Sequence, residues 1–120
     1  MSALPIYDRN FTQEEINFGF VKFLEGVQQL VAEHYANDFP TLTPQEIRVD
    51  AGRVYWKLVK HTPGSDLHTS VHCFVRKADG AILKSATWRA PALNHARGFV
   101  TESDFGLHCA GPYGVAYLRR

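Results

Sequence analysis

The sequence predicts an α+β fold: one long N-terminal helix packed on an antiparallel sheet of four or five strands, with an irregular C-terminal third. Three observations carry this prediction. Apolar residues recur at three- and four-residue steps from Ile16 to His34, period-two alternation broken by turn signals fills residues 46 to 88, and glycine and proline crowd the chain beyond Gly106.

Residues 1–10 contain Pro5 and no periodicity, and read as an irregular lead-in. Thr12 and Glu15 then form a capping box, in which the hydroxyl accepts one orphan N–H and the carboxylate reaches back to another, so the helix starts at Gln13. Ile16, Phe20, Phe23, Leu24, Val27, Leu30, Val31 and His34 share one helical face to about Ala36, and Asn37, Asp38 and Pro40 end it, giving an amphipathic helix over 12–37. Phe18 and Val21 lie off that stripe. They fit either ordinary exposure or contact with a second subunit, and a homo-oligomer is expected.

After a linker at 40–45, Glu46 to Asp50, a turn at Ala51-Gly52 and Arg53 to His61 read as a hairpin. A polar loop follows at 62–67. His68 to Lys77 alternates Val71, Cys73 and Val75 on one side with His72, Phe74 and Arg76 on the other. Ala78-Asp79-Gly80 supplies a turn, and Ala81 to Trp88 returns as the next strand. Pro91 can open a short helix over Ala92 to Arg97, ended by Gly98. The tail from Gly106 reads as a turn and a closing strand or short helix.

The 120 residues are 45% apolar and 21% charged, which suits one domain over 1–120 with an ordinary core. No run approaches the ~20 apolar residues of a membrane span, and no basic stretch precedes an apolar one at the N-terminus, so a soluble protein without a membrane partner is expected. Cys73 and Cys109 are expected to stay reduced. The net charge of +1 conceals a split: residues 1–50 hold three Lys/Arg against eight Asp/Glu, and residues 51–120 hold ten against four. The β-rich region at 46–120 is therefore the basic, ligand-binding part, with an anionic partner expected.

The stretch from Lys84 to Gly98 interleaves Lys84, Arg89 and Arg97 with an indole, an amide and small residues that let a ligand approach the backbone. On a strand, Lys84, Ala86 and Trp88 share a face at about 7 Å per two-residue step (~3.3 Å per residue), so an ammonium and an aromatic plane could hold a phosphate and a base together. Arg89 and Arg97 offer bidentate forks, and Asn94 offers both a donor and an acceptor. Phe74 on the neighbouring strand would be a stacking platform if the valine face meets the helix. Against this stand two plainer readings: Trp88 fills the core with the cations solvated, and Phe74 belongs to a second small core beneath the C-terminal segment.

Six histidines, five of them after residue 60, raise metal and acid–base chemistry. The adjacent pairs His72-Cys73 and His108-Cys109 point to opposite faces of a strand, and no paired ligand spacing recurs, so no metal and no cofactor are expected. His68-Thr69-Ser70 matches half of the signature of two-histidine phosphoesterases, without a second copy. A Cys–His pair has no local signature, and no Gly-rich phosphate loop occurs. A non-enzyme is expected.

The run Ser70-Val71-His72-Cys73-Phe74-Val75, Asp79-Gly80, Ile82-Leu83-Lys84, Trp88-Arg89-Ala90-Pro91-Ala92 and Ala96-Arg97-Gly98 resembles a widespread group of small bacteriophage proteins, and within it the Thoeris anti-defence family of cyclic-nucleotide sponges. The likeness covers about a quarter of the chain. It implies an N-terminal helix, a β-rich region, oligomers, and recessed pockets that sequester a cyclic ADP-ribose isomer in the host cytoplasm without cleaving it. It also implies, for some members, cyclic oligonucleotides held at separate sites. Asn94-His95 and the tail Tyr117-Leu118-Arg119-Arg120 depart from the pattern, and no pocket residue is carried over.

The expected function is thus sequestration of a cyclic nucleotide immune signal. The ligand-binding residues are Phe74, Lys84, Trp88, Arg89, Asn94, Arg97 and Gly98, and Arg97→Ala is expected to abolish binding. The alternatives are single-stranded nucleic-acid binding by the basic half, a small phosphoesterase using His68 or His72, and inhibition of a host protein through Phe18, Val21 and the acidic helix.

Overall fold

The computed structural model describes residues 11–65 and 69–116. The expected lead-in at 1–10, His68 and the tail Tyr117–Arg120 lie outside them.

Helix α1 spans Gln13–Asp38. Its capping box closes as the sequence predicts: the Thr12 hydroxyl accepts the Glu15 N–H at 3.1 Å, and the Glu15 carboxylate accepts the Thr12 N–H at 2.8 Å. Five strands follow, β1 (Glu46–Ala51), β2 (Tyr55–His61), β3 (Ser70–Arg76), β4 (Ala81–Leu83) and β5 (Gly98–Phe99), paired antiparallel in chain order. A 3₁₀ turn at Leu107–Cys109 and a bridge between Ala110 and Val115 complete the described chain.

The core lies between α1 and one sheet face. Ile16, Phe20, Phe23, Val27 and Val31 pack on Ile47, Leu58, Cys73, Val75 and Ile82. Phe20 stacks on Trp56 with centroids 4.0 Å apart. Burial of a large apolar side chain contributes roughly 1.5–3 kcal/mol, and this face is the main source of stability. The β3–β4 turn is held by a buried ion pair, in which Arg76 Nε and Nη2 donate to the two Asp79 carboxylate oxygens at 3.0 and 2.7 Å. Gly80 takes φ 76 there, a conformation that glycine adopts without a Cβ penalty.

Three sequence expectations are corrected. Strand β4 ends at Leu83 rather than running to Trp88. Thr87 and Ala90 instead close a tight turn, with Ala86 N–H and Thr87 N–H both donating to Ala90 O and the Thr87 hydroxyl accepting from Arg89 N–H and Ala90 N–H. Lys84, Ala86 and Trp88 therefore share no strand face. No helix forms over Ala92 to Arg97; that segment is irregular and leads into β5. In β3 the register shifts, Leu58 facing Cys73 but Val59 facing Val71, so His72 is an extra residue in the ladder. Cys73 and Val75 face the helix, while Val71 joins Phe74 on the other side.

Phe74 is not an exposed platform. It is 3% accessible, in a second small core with Ala81 and Leu83, against which Leu93 and Ala96 of the 84–97 loop pack. The second small core is realised, but the 84–97 loop covers it rather than the C-terminal segment.

Candidate functional site

On the sheet face away from α1, the ladder sets Asp50, Lys57, Phe74 and Leu83 side by side across four strands. Phe74 floors a groove of about 420 Å³ there, walled by Arg53, Tyr55, Lys57 and Arg89. Tyr55 meets Phe74 edge to face at 5.8 Å. The Thr87–Ala90 turn carries Trp88 to the rim, 45% exposed, with the Lys57 ammonium 3.6 Å from its ring centroid.

Electrostatically the groove is a partly neutralised cation cluster. Lys57 is held below the usual lysine value, first by burial and then by the neighbouring Arg48 and Arg89, with Asp50 acting in the opposite sense. Asp50 is itself forked by Arg48 at 2.9 and 3.3 Å. A lysine whose charge is penalised first by burial gains from a bound anion, and an exposed indole offers a flat face beside it. Phosphate oxygens at Arg53, Lys57 and Arg89 with a base against Trp88 would use both properties.

The predicted residues separate into two groups. Trp88 and Arg89 meet at the groove, above the buried Phe74. Lys84 and Arg97 hold the backbone of the C-terminal segment, and Asn94 and Gly98 lie beside Arg97 rather than at the groove. Lys84 Nζ donates to Val115 O at 3.2 Å, and Arg97 Nε donates to Ala116 O at 3.0 Å. Arg97 Nη1 donates to Asn94 Oδ1 and His95 O at 2.9 and 2.7 Å. Gly98 is buried, and a Cβ there would lie 3.1 Å from Glu102 Oε1 and 3.3 Å from the His108 ring, so it permits close packing rather than ligand approach.

Sequence reasoning missed Lys57, Arg53 and Tyr55. The alternation of Tyr55 and Lys57 along β2 was a signal that they share a face, but only the register with Phe74 brings them to Trp88 and Arg89.

Three titratable side chains outside the groove are shifted by burial. His72 is buried, its Nε2 donates to Gly111 O at 2.8 Å, and burial first, then Lys60 and Lys84, brings its pKa to about 4 although the Gly111 bond acts the other way. It is a neutral imidazole at pH 7. Cys73 is pushed well above the ordinary thiol value by burial and by Cys109, and Cys109 is pushed to about 11 by burial and by Glu102. Neither is a thiolate at neutral pH, and a protonated thiol is a poor nucleophile.

Glu102, Asp104 and His108 place their ligand atoms within 4.8 Å of one another on the surface. This grouping was not foreseen. Its oxygens are already engaged: Glu102 accepts from Phe99 N–H, and Asp104 accepts from the Gly106 and His108 backbone N–H groups and lies 3.0 Å from His108 Nδ1. That pattern caps the 3₁₀ turn.

No helix among the described residues is long and apolar enough to cross a membrane. Residues 9–111 match a family of unknown function, DUF7717. No curated protein and no solved structure matches the chain.

Proposed function

We propose that this chain, which belongs to the DUF7717 family of unknown function, binds a phosphate-bearing nucleotide in the groove between Trp88, Lys57 and Arg89 and holds it without cleaving it. The observation that carries this reading is the Lys57 ammonium 3.6 Å from the Trp88 centroid, beside Arg89 in a groove whose lining holds one carboxylate, Asp50, which is forked by Arg48, and no histidine or cysteine. Cationic forks, an ammonium and an open π-face are what a nucleotide needs; a nucleophile or an acid–base pair is what hydrolysis would need.

The likeness of the Ser70–Gly98 motif to the Thoeris anti-defence sponges favours a cyclic ADP-ribose isomer as the ligand and sequestration in the host cytoplasm as the role. Calorimetric titration of the full chain with cyclic ADP-ribose isomers tests this. Binding at one site, followed by recovery of intact ligand after heat denaturation, is expected. Recovery of a linear product, or no binding by any nucleotide diphosphate, overturns it.

A second reading rests on the same row of cations. Arg48, Arg53, Lys57 and Arg89 beside an exposed indole also suit single-stranded nucleic acid. Salt separates the two: several backbone phosphates give a steep fall of affinity with salt, and one diphosphate gives a shallow one. A steep slope with single-stranded DNA decides for the second reading.

A further inference from the structure

The solvent side of α1 carries a feature that the nucleotide groove, on the opposite face of the sheet, does not use. Phe18 is 58% exposed and Val21 47%. Phe18 meets Phe105 edge to face at 6.1 Å, and Phe11, Phe18, Val100 and Phe105, together with Glu14 and Glu15, line a mostly apolar groove of about 320 Å³ beside the helix. Phe105 holds φ 59, the left-handed region that a non-glycine residue adopts at a cost, and it does so with its ring against this exposed aromatic.

The charges along the same side form a pattern. Glu14, Phe18 and Lys22 are spaced four residues apart and lie in one row on the helix surface. The row reads acid, aromatic, base. Two such rows laid antiparallel and crossing at Phe18 place each Glu14 about 6 Å along the axis from the crossing point (~1.5 Å per residue), level with Lys22 of the other copy. Both charges are matched twice, and the phenylalanines meet at the two-fold axis. A parallel arrangement would set Glu14 against Glu14. The charges are available for this: among the described residues Glu14 has no ion pair, and Lys22 pairs only with the exposed Glu25, at 3.7 Å. The Lys22 ammonium already leans to 5.5 Å from the Phe18 centroid.

We propose that this face is a symmetric interface between two copies of the chain, with the α1 helices antiparallel and crossing at Phe18. The occupant is a second copy because the row complements itself; an isologous contact needs one self-complementary patch, and this row is one.

Sedimentation velocity of the full chain over a concentration series tests the proposal. The expected species has twice the 13.5 kDa chain mass. Phe18→Glu is expected to sediment as a monomer with an unchanged far-ultraviolet dichroism spectrum. Glu14→Lys and Lys22→Glu should each weaken association about tenfold or more, and the double variant Glu14→Lys/Lys22→Glu should recover it, because exchanging both charges preserves the match. A wild type that is monomeric at all concentrations leaves this face to a different protein and overturns the proposal. So does a dimer that survives Phe18→Glu, or charge reversals that fail to rescue one another. Because the two sites lie on opposite faces, each of these results leaves nucleotide binding to be judged by its own titration.

Discussion

The Lys57 ammonium covers the Trp88 ring at 3.6 Å, joining the centre of β2 to the tip of the Thr87–Ala90 turn. The contact steadies an otherwise exposed indole by about 0.5–1 kcal/mol and fixes where its free face points. Stacking of one base on an aromatic side chain contributes about 1–3 kcal/mol. Trp88→Ala is therefore expected to weaken nucleotide binding about tenfold or more, and Lys57→Ala to do likewise. Since the two side chains touch, the double variant should lose less than the sum. Strictly additive losses in the calorimetric cycle would mean that the two groups act at separate places.

Arg97→Ala is expected to behave differently from the sequence-based expectation. Its guanidinium is engaged by Ala116 O, Asn94 Oδ1 and His95 O, and it stands away from the groove lining. The variant should retain nucleotide affinity within about twofold while losing about 1.5–3 kcal/mol of stability, as the hydrogen bonds of a charged group predict. Proteolysis near the C-terminus should become faster. Abolished binding with unchanged stability would return Arg97 to the site.

How far the sequence could be read follows the range of the interactions. The capping box and the Ile16–His34 stripe are local, and α1 agrees with them to within about two residues. The hairpins at Gly52 and Gly80 are local as well. The Ala81–Trp88 strand failed because the Thr87 hydroxyl satisfies two backbone N–H groups in a turn that competes with the ladder. The burial of Phe74 depends on Leu93 and Ala96, which return over it from about twenty residues away. The bulge at His72 reverses side-chain parity with no compositional mark. Lys57 joins the site only through cross-strand register, which a single sequence does not display.

The Arg76–Asp79 pair makes a sharp stability prediction. Both side chains are buried, and Asp79 Oδ1 also accepts the Ala81 N–H at 3.1 Å. Asp79→Asn leaves a guanidinium in a dry site opposite a neutral amide. Loss of one partner of a buried pair costs about 3–5 kcal/mol. Arg76→Met/Asp79→Asn, which removes the charge as well, should be less destabilised than the sum of the two single variants in urea denaturation.

His72 sets a pH dependence whose sign is fixed by its burial. Its pKa is about 4 in the folded protein against 6.5 for the free side chain. Between these values the unfolded chain binds a proton that the folded chain does not, so stability rises with pH across that window. The contribution is fully present above pH 6.5 and is lost as pH falls toward 4, a change of up to about 3 kcal/mol. His72→Gln should flatten this part of the profile when denaturant midpoints are measured from pH 4 to 7. An equally steep profile in the variant would assign the dependence to other groups.

Gly19 and Gly26 both lie inside α1, where replacing glycine by alanine ordinarily stabilises a helix by about 1 kcal/mol. At Gly19 the expected sign is reversed. A Cβ there would stand 2.2 Å from Val100 O and 2.9 Å from Val100 C, backbone atoms that cannot turn aside. The helix would have to lift from the β5 end of the sheet, and overpacking of this kind costs about 1–3 kcal/mol. At Gly26 the nearest atoms, at 2.6 Å, are the two methyl carbons of Leu107, the end of a side chain with other rotamers open to it. Gly19→Ala should therefore lower the thermal midpoint more than Gly26→Ala. Equal midpoints would mean that the α1–Val100 approach yields as readily as a leucine side chain, and that the close contact contributes little to where the helix sits.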